Sequence, residues 1–566
     1  MKSLYFWRFP PVRSAMVAAA LLISVLPPGL AQSDPVISAQ PGQRSTRSLP
    51  AADKDGIHLS LDQAVGLALA NDQDLNVTVN AAEASQFNLF ANTGIYDPLL
   101  QGFGSRSHND QPTASRLSGA DVLKTDSSDG GAQVSQLIPW GGTFTLGFAG
   151  NRTKTNSTFF LVNPSFTSGL TLSVSQPLLR SFGTLPTNWL IDTARNTRDS
   201  AYQDFVRSVQ AAVNATEQAY WDLAYAYDNL KVKQETKAIA VELNRITKIK
   251  IDVGSLAPID IVQTEVNIAT ADQDIITAEG AIGLAQDQLM RLLNVNPKEW
   301  VATPIIPTDP VRVQRQPFDL ASGMRTALER RPEILSQQYA VASNLIRYAY
   351  YDNQVLPQLN LQASYGKNGL DGKVYDVNGN VIADNGFGDA VSQLWSDHFK
   401  SWKVGLVFSY PILNRSAKGA RGVAQYTLET SKALLTTIEQ DVVVNVRNAH
   451  RAIDTAEKSI VAAAKGSELA ERNLDAARKK YDNGMTTAFE VSQLQTNLSD
   501  ARSRELNALV IYRKAIAAYH AAIADNLEWK GVKIEGMPDM APPAQTSAEI
   551  RAELVQRALE GERAAP

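Results

Sequence analysis

A unit written twice along the 566 residues constrains the fold more than any other feature of the chain. Leu61-Asp62-Gln63-Ala64-Val65-Gly66 is echoed by Phe318-Asp319-Leu320-Ala321-Ser322-Gly323, each opening a helical stretch. Ser175-Gln176-Pro177-Leu178-Leu179 is matched by Ser409-Tyr410-Pro411-Ile412-Leu413, each after a strand pattern and before a long helical one. A shift of 230 positions superposes Asp252 on Asp482, Gly254 on Gly484, Gln263 on Gln493, Asn267 on Asn497 and Ala271 on Ala501. Three landmarks in the same order indicate an internal duplication, so two similar halves are expected rather than a string of unrelated domains.

Within each half the hydrophobic period changes. Leu170, Leu172 and Val174 alternate with Thr171, Ser173 and Ser175; Leu359, Leu361 and Ala363 alternate with Asn360, Gln362 and Ser364; Val404, Leu406 and Phe408 alternate with Lys403, Gly405 and Ser409. One apolar and one small polar face suits the wall of a membrane barrel, and equally a soluble β-sandwich. The period then lengthens. Phe205, Val209, Ala212, Thr216, Ala219, Leu223, Ala226 and Leu230 follow heptad spacing, as do Leu435, Ile438, Val442, Val446, Ala449, Ile453, Ala456 and Ile460. The helical stretches from about Asn188 to Val253 and from about Ser416 to Asn483 would each run roughly 100 Å at about 1.5 Å per residue, a coiled-coil length rather than a globular one. Gly254 and Gly484 sit where the chain must reverse into return helices, Ile259 to Leu293 and Phe489 to Ile523.

The ends of the chain point to a compartment. Arg8 and Arg13 precede an apolar run from Ala15 to Leu26, and Gly29-Leu30-Ala31 supplies small residues where a signal peptidase reads, placing the mature start near Gln32. The sequence holds no cysteine, which removes disulfides, thiol catalysis and an acylated N-terminus. Its five histidines, His58, His108, His398, His450 and His520, show no metal-ligand spacing, and no glycine-rich phosphate loop follows a strand. Neither catalysis, a cofactor nor a metal is expected. A formal net charge of −4 gives no electrostatic case for nucleic acid.

In the duplication, the strand exits Gln176-Pro177-Leu178-Leu179 and Tyr410-Pro411-Ile412-Leu413, and the tips Val253-Gly254-Ser255 and Tyr481-Asp482-Asn483-Gly484, the chain resembles the TolC or outer-membrane efflux protein family, from about Leu59 to Leu527. The resemblance implies a mixed α+β fold: an outer-membrane β-barrel shared by a homotrimer, continued by a long periplasmic α-helical coiled-coil barrel. It implies a passive exit duct for a tripartite efflux pump or a type I secretion system, working with a periplasmic adaptor protein and an inner-membrane transporter. The family pattern is four membrane strands per protomer. Here the first half carries extra material: Gln133 to Ile138, the turn Pro139-Trp140-Gly141-Gly142, then Phe144, Leu146 and Phe148 alternating with Thr145, Gly147 and Ala149. This hairpin either joins the wall or packs near the rim, and the family count of four favours the rim. Trp140, Trp402 and Tyr410 are candidates for interfacial aromatic belts, and the polar stretches 105–130, 152–167 and 367–397 are expected as extracellular loops.

Family correspondence also marks the closed periplasmic end. Glu490 falls where the family carries an aspartate of an acidic entrance ring, Gln493 where it carries a second acidic residue, and Thr486 where it carries a basic gate residue. Tyr481 keeps the tyrosine that helps hold the tips together, and Asp260 is the counterpart of Glu490 in the first half. Val253, Gly254, Ser255, Asn483, Gly484 and Met485 are the expected adaptor-docking tips. Three copies of Glu490 around an axis would favour cations; a solvated carboxylate in a helix's first turn would look the same in sequence.

The organisation expected is a signal peptide at 1–31, an N-terminal linker at 32–56, a first repeat at 57–300, a linker at 301–317, a second repeat at 318–527 and a tail at 528–566. A periplasmic coiled-coil adaptor or structural protein is the alternative; it would explain the heptads but not two sets of alternating strands.

Overall fold

The computed structural model describes residues 56–114, 118–294, 304–311, 317–376, 378–396 and 398–534. The leader expected at 1–31, nearly all of the N-terminal linker and the chain beyond 534 lie outside the described residues. Strand β1 (Ile57–Leu59) pairs in parallel with β6 (Ile305–Pro307), which lies within the 301–317 stretch. Helix α1 (Leu61–Asn71) starts on a reciprocal cap: the Gln63 amide donates to the Ser60 hydroxyl, and the Ser60 amide donates to the Gln63 side chain at 3.1 Å. Asp72 then breaks the helix in extended backbone and accepts from the amides of Asp74 and Leu75, so α2 (Gln73–Thr93) begins at once.

Four long strands follow: β2 (Leu99–Pro112), β3 (Val122–Leu137), β4 (Thr143–Thr155) and β5 (Val162–Pro177). Two more come from the second half, β7 (Gln358–Tyr375) and β9 (Lys400–Ser409), with a short β8 (Val381–Asp384) paired only to the far end of β7. All belong to one antiparallel sheet in the order β2-β3-β4-β5-β7, with β9 on the free side of β7. A directly paired row, Leu100, Val134, Leu146, Leu172, Tyr365 and Trp402, crosses six strands on one face. One residue away, the other face reads Gln101, Gln133, Gly147, Thr171, Gly366 and Ser401. Alternation thus makes one apolar and one small polar face, continuous from edge to edge.

Two expectations change here. The extra hairpin does not pack at the rim: β3 pairs with β4 from Thr125↔Thr155 to Leu137↔Thr143, in phase with the neighbouring strands. Its turn is held by the Ile138 amide donating to the Gly142 carbonyl at 2.8 Å. The stretches 105–130 and 152–167 are largely strand, since β2 runs to Pro112, β3 starts at Val122, β4 ends at Thr155 and β5 starts at Val162, while 367–397 is strand only at 367–375 and 381–384. Past the apolar band the strands are polar on both faces, as at 105–110 of β2 and 126–129 of β3. Over the band's far end lies α7 (Phe387–Ser392). Phe387 meets Phe148 and Phe166 edge-on, at 6.5 and 6.4 Å between centroids. Gly369 admits this helix, because a Cβ there would lie 1.9 Å from the Ala390 carbonyl oxygen.

From the other end of the sheet emerge the long helices. β5 leads into α3 (Thr184–Asp252, 69 residues), which returns as α4 (Asp260–Leu293); β9 leads into α8 (Arg415–Asp482, 68 residues), which returns as α9 (Ala488–Ala522). At about 1.5 Å per residue each long helix spans roughly 100 Å. Two shorter helices, α5 (Leu320–Arg330) and α6 (Pro332–Gln354), precede β7. In α3 the heptad positions Val209, Thr216, Leu223 and Ala226 are buried, and so are Glu217, Tyr220, Trp221 and Ala224 on an adjoining stripe. In α8 burial follows a single stripe, with Val442, Val446, Ile453 and Ala456 inside while Val444 is 52% exposed. The chain ends its described course in α10 (Asn526–Trp529), where Trp529 stacks on His520 at 4.2 Å and Lys530 pairs with the buried Glu217 of α3 at 3.1 Å.

Candidate functional site at the helical tips

Both long helices reverse by the same turn. After α3, Gly254 takes φ +77 and the Ser255 amide donates back to the Lys250 carbonyl at 2.8 Å; after α8, Gly484 takes φ +74 and the Met485 amide donates to the Lys480 carbonyl at 2.9 Å. This is the left-handed glycine cap, in which a residue without Cβ avoids the cost of positive φ while the last carbonyls find donors. The return helices start differently. Thr487 caps α9 by accepting from the Glu490 amide at 3.3 Å, whereas Ile259 offers α4 no side-chain cap.

Between the two hairpins lies a small buried lock. The Tyr481 side chain is 2% exposed and its hydroxyl shares a 2.7 Å hydrogen bond with the hydroxyl of Thr247, which is itself buried and donates to the Leu243 carbonyl at 2.8 Å. Around it pack Leu243, Leu474, Ala477, Ala488, Val491 and Leu498. Lys250 closes the outer side. Its ammonium donates to the main-chain carbonyls of Tyr481 and Asp482 and stands 4.2 Å from the Tyr481 ring centroid. A cation is favourable there because the last carbonyls of α8 carry the negative end of its dipole. Burial pushes the Tyr481 phenol above its ordinary value, opposed by the Thr247 hydrogen bond and reinforced by the Asp260 and Asp482 carboxylates. Tyr481 therefore stays neutral and able to donate. Farther from the turn, the Asn267 amide nitrogen donates to the Ser492 hydroxyl, joining α4 to α9.

Of the residues singled out in sequence, Tyr481 forms this lock, while Asp260, in the first turn of α4, reaches it only through its charge. Glu490 and Thr486 form a second group, the Thr486 hydroxyl donating to the Glu490 carboxylate. Glu490 is exposed in the first turn of α9, and Gln493 is exposed one turn on, bonded to Asn497 at 3.4 Å. Val253 and Met485 are each 69% exposed, with Ile259 and Phe489 beside them, which leaves an apolar cap on the tips. Sequence reading missed Thr247 and Lys250. Under the 230-position shift they fall on Ala477 and Lys480, so the threonine has no echo, and the exposed Lys480 does not distinguish a bonding lysine from a solvated one. No catalytic grouping accompanies the tips: the arrangement joins two helical hairpins through hydrogen bonds that part if the hairpins part.

Comparison with known proteins agrees with this architecture. The family model described as outer membrane efflux protein matches residues 143–295 and 324–523, more than half of the chain. The outer membrane protein TolC of Escherichia coli (strain K12) is 26% identical over 335 residues, 57% of this chain, and the match spans only 62% of that protein's length. Among solved structures, the outer-membrane channel OprN superposes with a TM-score of 0.60 at 15% identity, covering 83% of this chain and 90% of that one. The Campylobacter jejuni CmeC outer membrane channel gives 0.58 at 16% identity, covering 87% and 89%. With long paired helices continuing a sheet apolar on one face, and with the family model matching in both halves, the chain belongs to the outer membrane efflux protein family, whose members are outer-membrane channels and not enzymes.

Proposed function

We propose that this chain is one protomer of a homotrimeric exit duct, a passive channel-tunnel of a tripartite efflux pump or a type I secretion system. The observation that carries the reading is one open sheet, apolar on one face from edge to edge, continued by helices of roughly 100 Å that end in two matched turns. The apolar face meets outer-membrane lipid and the polar face lines water. Trp402 at the far end of the band, with Trp140 and Tyr410 at the helical end, mark its two interfaces. Among the described residues no helix is long and apolar enough to cross a membrane.

The helices form the periplasmic coiled-coil tunnel, built from the halves 57–300 and 318–527. Its closed end is gated by the Thr247–Tyr481–Lys250 lock within each protomer and lined by a ring of Glu490 carboxylates. The exposed tips Val253, Gly254, Ser255, Asn483, Gly484 and Met485 are the surface for a periplasmic adaptor, and an inner-membrane transporter supplies the energy. A periplasmic adaptor or structural protein needs no sheet with an exposed apolar face, and that face favours the duct. Fractionation followed by mass measurement tests this: the protein should partition with outer membrane and, extracted in detergent, have three times the protein mass of one chain. Recovery in the soluble periplasm, or as a monomer, would defeat the reading.

A further inference from the structure

The sheet has two edges without a partner among the described residues, β2 and β9. Unpaired backbone amides and carbonyls are not tolerated in lipid, so both edges need a strand. β2 leaves α2 and runs away from the helices, while β9 runs back into α8, as six alternating strands require. The β9 of one copy therefore meets the β2 of another in antiparallel sense, and the pattern continues unbroken round any ring of copies. The helices next to these edges are unfinished as well. Val77, Phe87 and Phe90 of α2, and Val423, Tyr426 and Val444 of α8, are each at least 52% exposed.

The family match begins at residue 143, the first residue of β4, so β2 and β3 stand outside it. They carry the same face pattern as the matched strands. Leu100 and Val134 begin the apolar row that ends at Trp402, and Gln101 and Gln133 begin the polar one. β2 has 14 residues and β3 has 16, more than the ~9–11 that a membrane strand needs. Their helical end is anchored: the Trp140 carbonyl in the β3–β4 turn accepts from the Gly183 amide at 3.3 Å and the Gln176 side chain at 3.0 Å, at the junction of β5 and α3.

We propose that all six strands of each protomer enter the wall, so that the trimer inferred above closes an eighteen-stranded barrel, β2 of one protomer pairing with β9 of the next, where the family pattern gives twelve strands. Barrel diameter grows roughly in proportion to strand number, so the mouth is about 1.5 times as wide and about twice as open in cross-section. The tunnel below does not widen with it. Only four ends of these six strands per protomer join helices, at α2–β2, β5–α3, α6–β7 and β9–α8, while the β3–β4 turn folds back. The mouth therefore places no size limit on solutes that pass the helical tips, and selection by size falls to the periplasmic end.

Cryo-electron microscopy of the full-length protein in nanodiscs counts the strands directly, and cysteine pairs check the junction in a chain without native cysteine. Gln101→Cys combined in turn with Ser401→Cys, Lys403→Cys, Gly405→Cys and Val407→Cys samples the β2–β9 register on the polar face; Thr145→Cys with the same series samples β4–β9. Eighteen strands, with covalent trimers from a β2–β9 pair only, is the expected result. A trimer with twelve strands and β4–β9 cross-links overturns the inference while leaving the duct intact. A particle that is not trimeric overturns the duct reading on which the strand total rests.

Discussion

The buried lock at the tips allows a prediction in which two substitutions of nearly equal size differ in effect. Tyr481→Phe removes the phenol hydroxyl, but Thr247 still donates to the Leu243 carbonyl, so no buried donor is stranded. The loss is one net hydrogen bond, about 1 kcal/mol. Thr247→Val keeps shape and removes the other hydroxyl, leaving the Tyr481 O–H without a partner in a site 2% exposed. That costs about 1–3 kcal/mol. If opening parts the two hairpins, these costs fall on the closed state alone. Since about 1.4 kcal/mol is tenfold in an equilibrium, the open fraction should rise about fivefold in Tyr481→Phe and about thirtyfold in Thr247→Val at the middle of its range. The double variant, having neither hydroxyl, should lie near Tyr481→Phe. Single-channel recordings of open probability give all three numbers. Equal effects of the two single variants, or a double variant worse than Thr247→Val, would show that the hydrogen bond does not hold the tips closed.

Lys250→Met should open the channel further, by roughly tenfold if the ammonium contributes about 1.5 kcal/mol through its charged hydrogen bonds to the carbonyls of α8, again read as open probability. Gly254→Ala and Gly484→Ala meet no neighbour within 4 Å, so each should cost only the roughly 1–2 kcal/mol of a positive φ and lower the unfolding temperature slightly. Lys530→Met removes the ion-pair partner of Glu217, 3% exposed, and should destabilise by about 3 kcal/mol. Burial raises the Glu217 carboxyl above its ordinary value of 4.5, only partly offset by Lys530. A raised folded value means stability fully present below pH 4.5 and lost as pH rises through the folded value, so the defect of Lys530→Met should be smallest in acid and grow toward neutrality in thermal melts.

Much of this fold is legible in the sequence because its periods are long and sustained. The heptad residues Val442, Val446 and Ile453 are buried, and both reversal glycines take positive φ. The strand count is less legible: after Phe103, β2 is all Gly, Ser, Arg, His, Asn, Asp and Gln up to Pro112, and only its register against β3 shows that these residues lie on a strand. The parallel pair β1–β6 joins three-residue strands far apart in sequence, too short for any period to mark. At the site, Tyr481 was legible through correspondence with the family. Thr247 and Lys250 were not, because a single threonine on a helix face carries no period, and its meaning comes from Tyr481 more than two hundred residues later.

The claim that matters most is that this chain makes a gated pore, and planar-bilayer conductance of the purified wild-type protein tests it most directly. Under a KCl gradient the channels should insert with small conductance and cation preference, and Glu490→Ala should weaken that preference. Folded protein that never inserts, or that opens a wide unselective pore unaltered by substitutions at Glu490, Tyr481 and Thr247, would contradict the account.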